Sequence, residues 1–285
     1  MLELAATGER TLELSFAGDT YNTAVYLRRN SDAEVGYFTG LGEDEHSSAM
    51  RAAWREESIV DRSRTIRGRL PGLYMIRTGD DGERSFTYWR DASAARTLFQ
   101  GAGWTDALDG DLVHLSGITL QLTTRQSRSE LLTRLAELRA QGTLVSFDTN
   151  FRPAGWSSSE EAAEAFAAIR GVTDILLASI DDETALHGRD SPEAHIRRLA
   201  ASTPGEVVLR CGADGAYVAD EGTVIHVRAK RVAHVVDTTA AGDSFAGAYL
   251  AARLAGDPPS RAAQAGNTLA GSVIQHRGAI VPRSA

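Results

Sequence analysis

A short run of small residues around Asp243 has the composition of a phosphate-binding turn with a base beside it. Residues 237–244 read DTTAAGDS and open a helical pattern. Backbone amides at the start of a helix lack intrahelical acceptors and together carry about half a positive charge, so they hold phosphate well. We expect the amides of Ala240, Ala241 and Gly242 to bind phosphate there. Asp243 would then take the proton of an attacking hydroxyl, although the same position also suits a simple helix cap.

Three other chemistries fit the sequence less well. An esterase of the Gly-Asp-Ser type would use Ser244 as its nucleophile. The only histidine after it, His276, has Val273 where that arrangement needs an aspartate. No Gly-x-Ser-x-Gly elbow, dinucleotide-binding Gly-x-Gly-x-x-Gly loop or Walker A loop occurs. The seven histidines are scattered without the spacing of metal ligands, so a metalloenzyme is not indicated.

Composition limits the partners and the compartment. The chain has 285 residues, of which 42% are hydrophobic and 24% charged, and its formal net charge is −8. These values suit one folded α/β domain and argue against non-specific nucleic-acid binding, which needs a basic face. Cys211, the only cysteine, excludes an internal disulfide. We find no signal peptide and no apolar run of about 18 residues, so we expect a cytoplasmic protein without a membrane segment.

Alternating strand and helix patterns predict a mostly parallel sheet with helices on both faces. Short apolar runs predict buried strands over 111–116, 143–147, 174–178 and 206–210. Helical patterns predict helices over 129–141, 160–170, 192–201, 242–255 and 260–275. Strands that are apolar on both sides need cover on both faces, which is the arrangement of α/β domains with a buried parallel sheet.

A second, smaller sheet is predicted from residues that alternate between apolar and polar. The alternation occurs over 11–16, 73–77 and 84–90, and a Gly/Asp-rich turn over 78–83 joins the last two. Such a turn between two alternating runs is a hairpin signal. We expect this discontinuous sheet, from about 10–17 and 70–92, to lie beside the main one with one face partly exposed.

Residues 237–243 resemble the Asp-Thr-x-Gly-Ala-Gly-Asp signature of the ribokinase-like (PfkB) carbohydrate kinases, with Ala240 at its first glycine. The resemblance implies a three-layer ribokinase-like α/β fold, one domain over residues 1–285, and phosphorylation of a sugar by ATP. It implies that the small sheet is a lid over the sugar and the contact of a homodimer or higher homo-oligomer. The family opens with a buried strand, and residues 1–4 match only the end of it, so we expect most of that first core strand to be missing.

Phrases along nearly the whole chain resemble the 2-keto-3-deoxygluconate kinases within that family. They are residues 18–26, 70–74, 82–90, 115–118, 147–153 and 273–279. The resemblance implies transfer of phosphate from ATP to the C6 hydroxyl of 2-keto-3-deoxygluconate. The alternatives are a related ketose kinase of the fructokinase type and a non-catalytic relative that only binds sugar.

Two arginines could hold the carboxylate of a sugar acid. Arg152 follows the strand predicted over 143–147, at a carboxyl end where α/β sheets bind ligands. Arg90 lies on the lid, on the same face as Tyr88. Planar guanidinium groups suit a planar carboxylate, although both could equally be surface arginines. With the resemblance, the residues facing the sugar are those of its hydroxyl side, Gly18, Asp19 and Asn22, and those of its keto-acid end, Tyr74, Tyr88, Arg90 and Arg152.

The nucleotide side is assigned by the resemblance alone. The turn with Gly212 and Gly215 resembles a nucleotide-contacting turn of the family, with Arg210 in a region where many relatives carry lysine. Asn267 would flank the adenine, although a polar residue facing solvent fits as well. The segment that begins at Ser179 stands where the family has an Asn-x-x-Glu motif that organises Mg²⁺ and phosphate.

The resemblance also assigns two cation sites. The acidic residue that organises Mg²⁺ would be Asp182 or Glu183, although either could simply complement a helix dipole. Oxygen ligands of this kind suit Mg²⁺ held mainly by ATP phosphates and water. A K⁺ ion would lie near the phosphate turn, with Asp237 and Thr239 as its ligands.

Overall fold

The computed structural model describes residues 1–8, 10–78 and 84–283. The strands in these ranges are β1 (Leu2–Ala6), β2 (Leu12–Phe16), β3 (Val35–Tyr37), β4 (Gly40–Leu41), β5 (Ile59–Asp61), β6 (Arg64–Thr65), β7 (Leu73–Thr78), β8 (Arg84–Trp89), β9 (Leu112–Ser116), β10 (Leu144–Asp148), β11 (Ile175–Ser179), β12 (Glu206–Arg210), β13 (Ala216–Asp220) and β14 (Thr223–Val227). The α-helices are α1 (Asp19–Arg29), α2 (Glu45–Glu56), α3 (Gly117–Gln121), α4 (Arg125–Ala140), α5 (Ser159–Arg170), α6 (Ile180–His187), α7 (Pro192–Ala200), α8 (Ala241–Leu254) and α9 (Pro259–Val273). None of the helices in these ranges is long and apolar enough to cross a bilayer.

Six strands form the main sheet, in the order β14-β13-β12-β11-β10-β9. Strands β9 to β12 run parallel, whereas β13 and β14 pair antiparallel at one edge. The central strands are apolar on both sides: Ile175, Leu176 and Leu177 are at most 2% exposed. Burial of each such side chain stabilises the fold by roughly 1.5–3 kcal/mol, so these strands require cover on both faces.

Helices supply that cover in two separate cores. Leu177 and Val208 pack in one core with residues of α1, α2, α8 and α9. Their neighbours Leu176 and Val207 point to the opposite face, into a core formed with α4, α5 and α7. The predicted α/β arrangement, a mostly parallel sheet between two helical layers, is therefore confirmed.

A second sheet has the strand order β2-β1-β7-β8. The sequence led us to expect that residues 1–4 form the end of a strand of the main sheet. In the structure they lie in β1, which pairs with β2 and β7 of this second sheet. The register sets Leu2 opposite Leu73 and Leu4 opposite Leu14, and such apolar cross-strand pairs favour this sheet. The predicted hairpin turn over 78–83 falls, beyond Thr78, outside the described residues. Two short parallel pairs, β3 with β5 and β4 with β6, lie apart from both sheets.

Helix α1 packs closely on α8, and a glycine makes the approach possible. A Cβ on Gly247 would lie 2.6 Å from the Cβ of Tyr26 and 2.8 Å from the backbone nitrogen of Leu27. Protein interiors are close-packed, so a side chain there would push the helices apart. Glycine at this position thus sets the spacing between the two helices that carry the polar residues described next.

Candidate active site

The first turns of α1 and α8 meet at the carboxyl ends of the main-sheet strands. Asn22 of α1 donates from Nδ2 to Oδ2 of Asp243 at 2.8 Å. The amide of Asn22 is oriented because its Oδ1 accepts from the Gly18 N–H at 3.3 Å. From the sheet side, Arg210 at the end of β12 donates to the Gly242 carbonyl at 3.0 Å. The predicted base therefore lies where ligands bind in α/β sheets.

The environment of Asp243 favours its neutral form. Burial, more than any other cause, raises the pKa of its carboxyl to about 7. The negative charge of Asp19 adds to the rise, whereas the hydrogen bond from Asn22 opposes it. A carboxylate that titrates near neutral pH is suited to general-base chemistry.

The turn before α8 presents backbone amides. Ala240 has φ 58° and ψ 16°, in the left-handed region, and no side chain caps the helix. Among the described residues, the N–H groups of Ala240, Gly242 and Asp243 have no acceptor. We expected the Ala241 amide to donate to phosphate. In the structure it donates instead to the Thr238 carbonyl within the turn, at 3.2 Å. Open amides at a helix N-terminus form an anion site.

Asp19, on the first turn of α1, is held by two residues of the main sheet. Ser116, at the end of β9, and Asn150, just after β10, both donate to Oδ2 of Asp19, the amide of Asn150 at 3.0 Å. This tie fixes the start of α1 against the carboxyl ends of β9 and β10. The structure thereby brings the predicted Gly18, Asp19 and Asn22 to one side of Asp243.

The small sheet contributes aromatic rings and an arginine. Tyr74 is buried, and its ring lies 6.0 Å from that of Tyr88 on the neighbouring strand. The Tyr74 hydroxyl donates to Glu3, and the side chain packs near Ala240 of the phosphate turn. Arg90 lies over the Tyr88 ring, 4.7 Å from its centroid, in cation–π geometry.

Arg152 lies just beyond the carboxyl end of β10. Its side chain is exposed, and its guanidinium donates to the Phe151 carbonyl at 2.9 Å. Within the described ranges, neither Arg152 nor Arg90 is paired with a carboxylate. Both guanidinium groups therefore have donors to offer to an acidic ligand.

On the nucleotide side, Arg210 is already occupied by protein. It forms a two-pronged ion pair with Asp148 at 2.7 and 2.8 Å, and its Nε donates to the Ala178 carbonyl. Asp148 is 5% exposed, so the pair is buried. The resemblance places Arg210 on the nucleotide side, and in the structure its guanidinium group bridges β10, β11, β12 and α8.

We expected Asn267 to flank the adenine. In the structure its Nδ2 donates to the Val227 carbonyl at 2.9 Å. The amide thus ties α9 to β14. In the predicted nucleotide turn, Gly215 has φ 94°, and a Cβ there would lie 2.2 Å from the Val227 oxygen. Gly212, with φ 56°, has open space beside it, so its backbone remains approachable.

The two acidic candidates for Mg²⁺ point in different directions. Asp182 accepts from the Thr149 hydroxyl at 2.8 Å and lies near Asp148, and burial raises the pKa of its carboxyl. Glu183 is 1% exposed and accepts from Arg198 of α7 at 2.8 Å. Ser179 caps α6 through the Asp182 amide at 3.1 Å. Of the two, Asp182 is the one near Asp148 and Arg210, and a role of either residue with Mg²⁺ stays a prediction.

Asp237 braces the phosphate turn. Its carboxylate accepts from the Thr239 amide at 2.7 Å and from the Gly278 amide at 2.9 Å, and the residue is 8% exposed. Over residues 1–8, 10–78 and 84–283, no group of three or more His, Cys, Asp or Glu side chains could hold a metal ion. The Asp237 carboxylate therefore links the phosphate turn to the segment that carries Gly278.

Three residues of this cluster escaped the sequence analysis: Ser116, Asp148 and Asn150. Each follows or ends a predicted strand of the main sheet, within a phrase that had already been recognised. The rule that ligands bind at the carboxyl ends of parallel strands would have selected them.

Comparison with known proteins places the chain among sugar kinases. The sequence profile described as pfkB family carbohydrate kinase matches residues 5–285. The 2-dehydro-3-deoxygluconokinase of Escherichia coli (strain K12) is 42% identical over 304 aligned residues, covering 99% of this chain and 98% of that protein. The protein of that name from Dickeya dadantii (strain 3937) is 41% identical over 302 residues, covering 100% and 95%. The crystal structure of fructokinase from Vibrio cholerae O395, bound to fructose, ADP and calcium ion, has a TM-score of 0.84 at 25% identity, over 98% of this chain and 91% of that one.

Proposed function

The chain belongs to the pfkB family of carbohydrate kinases, and from its site we propose that it transfers the γ-phosphoryl group of ATP to the C6 hydroxyl of 2-keto-3-deoxygluconate, also called 2-dehydro-3-deoxygluconate. The products would be the 6-phosphate and ADP. Asp243 carries the proposal: a carboxyl group whose pKa is raised to about 7 lies in the same turn as the open amides of Ala240 and Gly242. The full-length similarity to proteins of that activity supports this substrate.

Asp243 would accept the C6 proton as the hydroxyl oxygen attacks the γ-phosphorus in line. A base whose pKa lies near the working pH combines a useful ionised fraction with a real driving force for proton transfer. The open amides would hold the charge that spreads over the phosphoryl oxygens. Because the base must be ionised, we expect kcat/KM to rise with pH through about 7.

We assign the cations to the residues that fit them. Mg²⁺ on the ATP phosphates would neutralise their negative charge, with Asp182 as the nearby acidic group and water completing its shell. K⁺ would lie beside the phosphate turn at Asp237 and Thr239, where the Asp237 carboxylate already links the turn to Gly278.

The acidic end of the sugar would lie between the lid and the main sheet. Arg90 on the lid and Arg152 beyond β10 offer guanidinium groups to the carboxylate, and the rings of Tyr74 and Tyr88 flank it. Closure of the lid over the substrate would exclude water and limit ATP hydrolysis. A neutral sugar has less use for two arginines, which favours a sugar acid over a ketose.

We also propose that the lid joins two copies of the chain. Its strands expose Leu12, Leu14 and Trp89, which are 44%, 48% and 52% accessible. Apolar side chains that remain exposed on a sheet favour association. Light scattering on the purified protein should give a molar mass at least twice that of one chain. The cytoplasm, where ATP is supplied, is the compartment we propose.

The test is an ADP-release assay of the purified full chain with ATP, Mg²⁺ and a panel of acceptors. The panel contains 2-keto-3-deoxygluconate, its C4 epimer 2-keto-3-deoxygalactonate, gluconate and fructose. We expect the highest kcat/KM with 2-keto-3-deoxygluconate and product phosphorylated at C6, located by ³¹P–¹H NMR coupling. The Asp243→Asn variant serves as the matched control for contaminating kinases.

Two results would contradict the proposal. A higher kcat/KM with fructose would make the protein a ketose kinase, as the similarity to a fructokinase structure allows. Binding of the sugar acid by calorimetry without ADP release from any acceptor would make it a sugar-binding relative.

A further inference from the structure

We propose that Glu3 is a positioning residue of the acceptor site: it takes the proton of the Tyr74 hydroxyl and so fixes a row of side chains across the lid that ends in Arg90. The proposal deepens the proposed function and rests on it for the ligand, a sugar acid. It implies that the acid end of the ligand is recognised by the Arg90 guanidinium, since the Tyr74 hydroxyl has no proton left to donate.

Four side chains lie side by side across the lid sheet. The register pairs Glu3 of β1 with Ser15 of β2 on one side and with Tyr74 of β7 on the other. Tyr74 is in turn paired with Tyr88 of β8. Side chains at paired positions of neighbouring strands point to the same face, so these four form one row. Arg90, two residues after Tyr88, continues the row, with its guanidinium group over the Tyr88 ring.

The row faces the phosphate turn. Tyr74 is 7% exposed, and its side chain packs in one cluster with Ala17, which precedes α1, and with Ala240 of the phosphate turn. The row therefore runs from the buried Glu3 to Tyr88, which is 46% exposed and open to a ligand that enters under the lid.

Both oxygens of the Glu3 carboxylate are engaged. Oε2 accepts from the Tyr74 hydroxyl, and Oε1 accepts from the Ser15 hydroxyl at 2.9 Å. Glu3 is only 3% exposed, and both of these partners are neutral. A charged carboxylate buried against two hydroxyl donors costs free energy that an apolar residue in its place would not. The stability of the sheet therefore does not explain a glutamate at this position.

The Tyr74 hydroxyl cannot also donate to a ligand. A tyrosine hydroxyl has one proton, and here that proton lies toward Glu3. Burial, more than any other cause, raises the pKa of Tyr74 above its usual value, so the hydroxyl keeps its proton. A ligand carboxylate only accepts hydrogen bonds, so it would meet an acceptor at the Tyr74 oxygen and donors at Arg90.

The hydrogen bond to Glu3 fixes the rings on which the orientation of Arg90 depends. The ring centroids of Tyr74 and Tyr88 are 6.0 Å apart, and the guanidinium carbon of Arg90 lies 4.7 Å from the Tyr88 centroid. Gly72, two residues before Tyr74, makes room for this arginine, because a Cβ there would lie 3.3 Å from the Cβ of Arg90. An arginine held between a ring and a backbone loses less freedom when it binds a ligand.

The experiment compares Glu3→Leu with Glu13→Leu, which makes the same replacement at an exposed position of the same sheet. Glu3→Leu should raise KM for 2-keto-3-deoxygluconate about fivefold, as loss of one ordering hydrogen bond implies, with KM for ATP changed less than about twofold. The control should keep the wild-type constants. Glu3→Gln should restore KM to within about twofold of the wild type, because its amide oxygen still accepts from Tyr74. Equal changes in the two KM values, or no rescue by Glu3→Gln, would contradict the proposal.

A double-mutant cycle tests where the Tyr74 proton goes. Tyr74→Phe and Glu3→Leu each leave one partner of the bond unpaired, whereas the double variant removes both. We therefore expect KM of the double variant for the sugar acid to be no higher than that of the worse single variant. A Tyr74 hydroxyl that donated to the ligand itself would make the two single effects multiply, and that result would overturn the proposal.

NMR of the free protein, with ¹³C at the tyrosine ring carbon that bears the hydroxyl, tests the bond without any substrate. The resonance missing in Tyr74→Phe identifies Tyr74, and it should shift in Glu3→Leu but not in Glu13→Leu. Glu3→Gln, which keeps the size of the side chain, should give part of that shift, because an amide oxygen is a weaker acceptor than a carboxylate. A resonance that stays in place in Glu3→Gln would overturn the bond even if Glu3→Leu did not fold.

Calorimetry with 2-keto-3-deoxygluconate in the absence of ATP separates this proposal from the proposed function. If the wild type phosphorylates no acceptor, but Kd rises and the Tyr74 resonance shifts in Glu3→Leu, the proposed function fails and the role of Glu3 stands. If turnover is normal, but neither KM nor the resonance responds to Glu3→Leu, the role of Glu3 fails alone.

Discussion

The acceptor side and the nucleotide side of the site are built differently. On the acceptor side, Asp19, Arg90 and Arg152 keep polar atoms open toward a ligand, although each is supported by a neighbour. On the nucleotide side, Arg210 and Asn267 are engaged with protein groups, and the open donors belong to the backbone. Under the proposed function, side chains would thus distinguish the sugar, whereas backbone amides would bind the phosphate.

This difference predicts that substitutions on the two sides will have different effects, one on stability and the other on kinetics. Substitutions on the nucleotide side should lower the free energy of unfolding, because they break buried bonds that hold the sheet and α8 together. Substitutions on the acceptor side should change kinetic constants and leave the fold intact. The following predictions, from the largest expected effect to the smallest, can break or sharpen this contrast.

Arg210→Met should lower the free energy of unfolding by about 3–5 kcal/mol, because it leaves the buried Asp148 carboxylate without its partner. Urea denaturation measures the change. Arg197→Met, at an exposed position on α7, should change it by less than about 0.5 kcal/mol. The double variant Arg210→Met/Asp148→Asn should recover part of the loss, since no unpaired charge remains. A loss below about 1 kcal/mol in the single variant would contradict a structural role for this ion pair.

Asp243→Asn should lower kcat by a factor on the order of 10² or more, because the base is lost. The acidic limb of the wild-type pH profile, near pH 7, should disappear with it. Burial raises the pKa of Asp243 above its unfolded value, so its contribution to stability is present at low pH and is lost as the pH rises through about 7. At pH 8 the variant should therefore be at least as stable as the wild type in thermal unfolding. Near-normal turnover would remove Asp243 from the mechanism.

Arg152→Leu should raise KM for the sugar acid about tenfold, as loss of one charge-assisted bond implies, while KM for ATP stays within about twofold. Initial rates with each substrate varied in turn give both constants. Arg197→Leu controls for a lost surface arginine. Parallel rises in both constants would mean that Arg152 does not recognise the carboxylate.

Ala240→Gly tests the left-handed turn at the smallest scale. Glycine adopts φ 58° without strain, which favours the folded state, but it loses more conformational entropy on folding, which opposes it. We therefore expect the free energy of unfolding to rise by between zero and about 1 kcal/mol. Ala241→Gly, one residue later within the helix, should instead destabilise the protein by about 0.5–1 kcal/mol. Equal losses in the two variants, measured by urea unfolding, would show that the turn stores no strain.

Periodicity alone predicted much of the fold. The strand predicted over 206–210 is β12, and the helix predicted over 192–201 is α7 within one residue. The segment of β12 is apolar on both sides, and the segment of α7 has a helical pattern that buries one face. The ribokinase-like fold inferred from residues 237–243 agrees with the similarity of this chain to the solved structure of Vibrio cholerae fructokinase. The sequence analysis missed helix α1, because polar residues such as Asp19 and Asn22 interrupt its apolar pattern. It also missed strands β13 and β14, whose formation depends on the strands they pair with.

The site was predictable in its types of residue but not in their partners. A motif names Arg210 or Asn267 as polar residues near the nucleotide, but it does not reveal that a buried carboxylate or a carbonyl already occupies them. Which of Asp182 and Glu183 lies near Asp148 depends on which side of α6 faces the sheet, and the partner of Glu183, Arg198, comes from a separate helix. Long-range pairs of this kind lie outside any local pattern.

The missing side chain at Gly247 has a consequence for how this enzyme could change. Since α1 and α8 are in direct contact there, one added methyl group would push the helix that carries Asn22 away from the helix that carries Asp243. Under the proposed function, a change of acceptor sugar would therefore arise more readily through the lid and the loop after β10 than through the contact between these two helices.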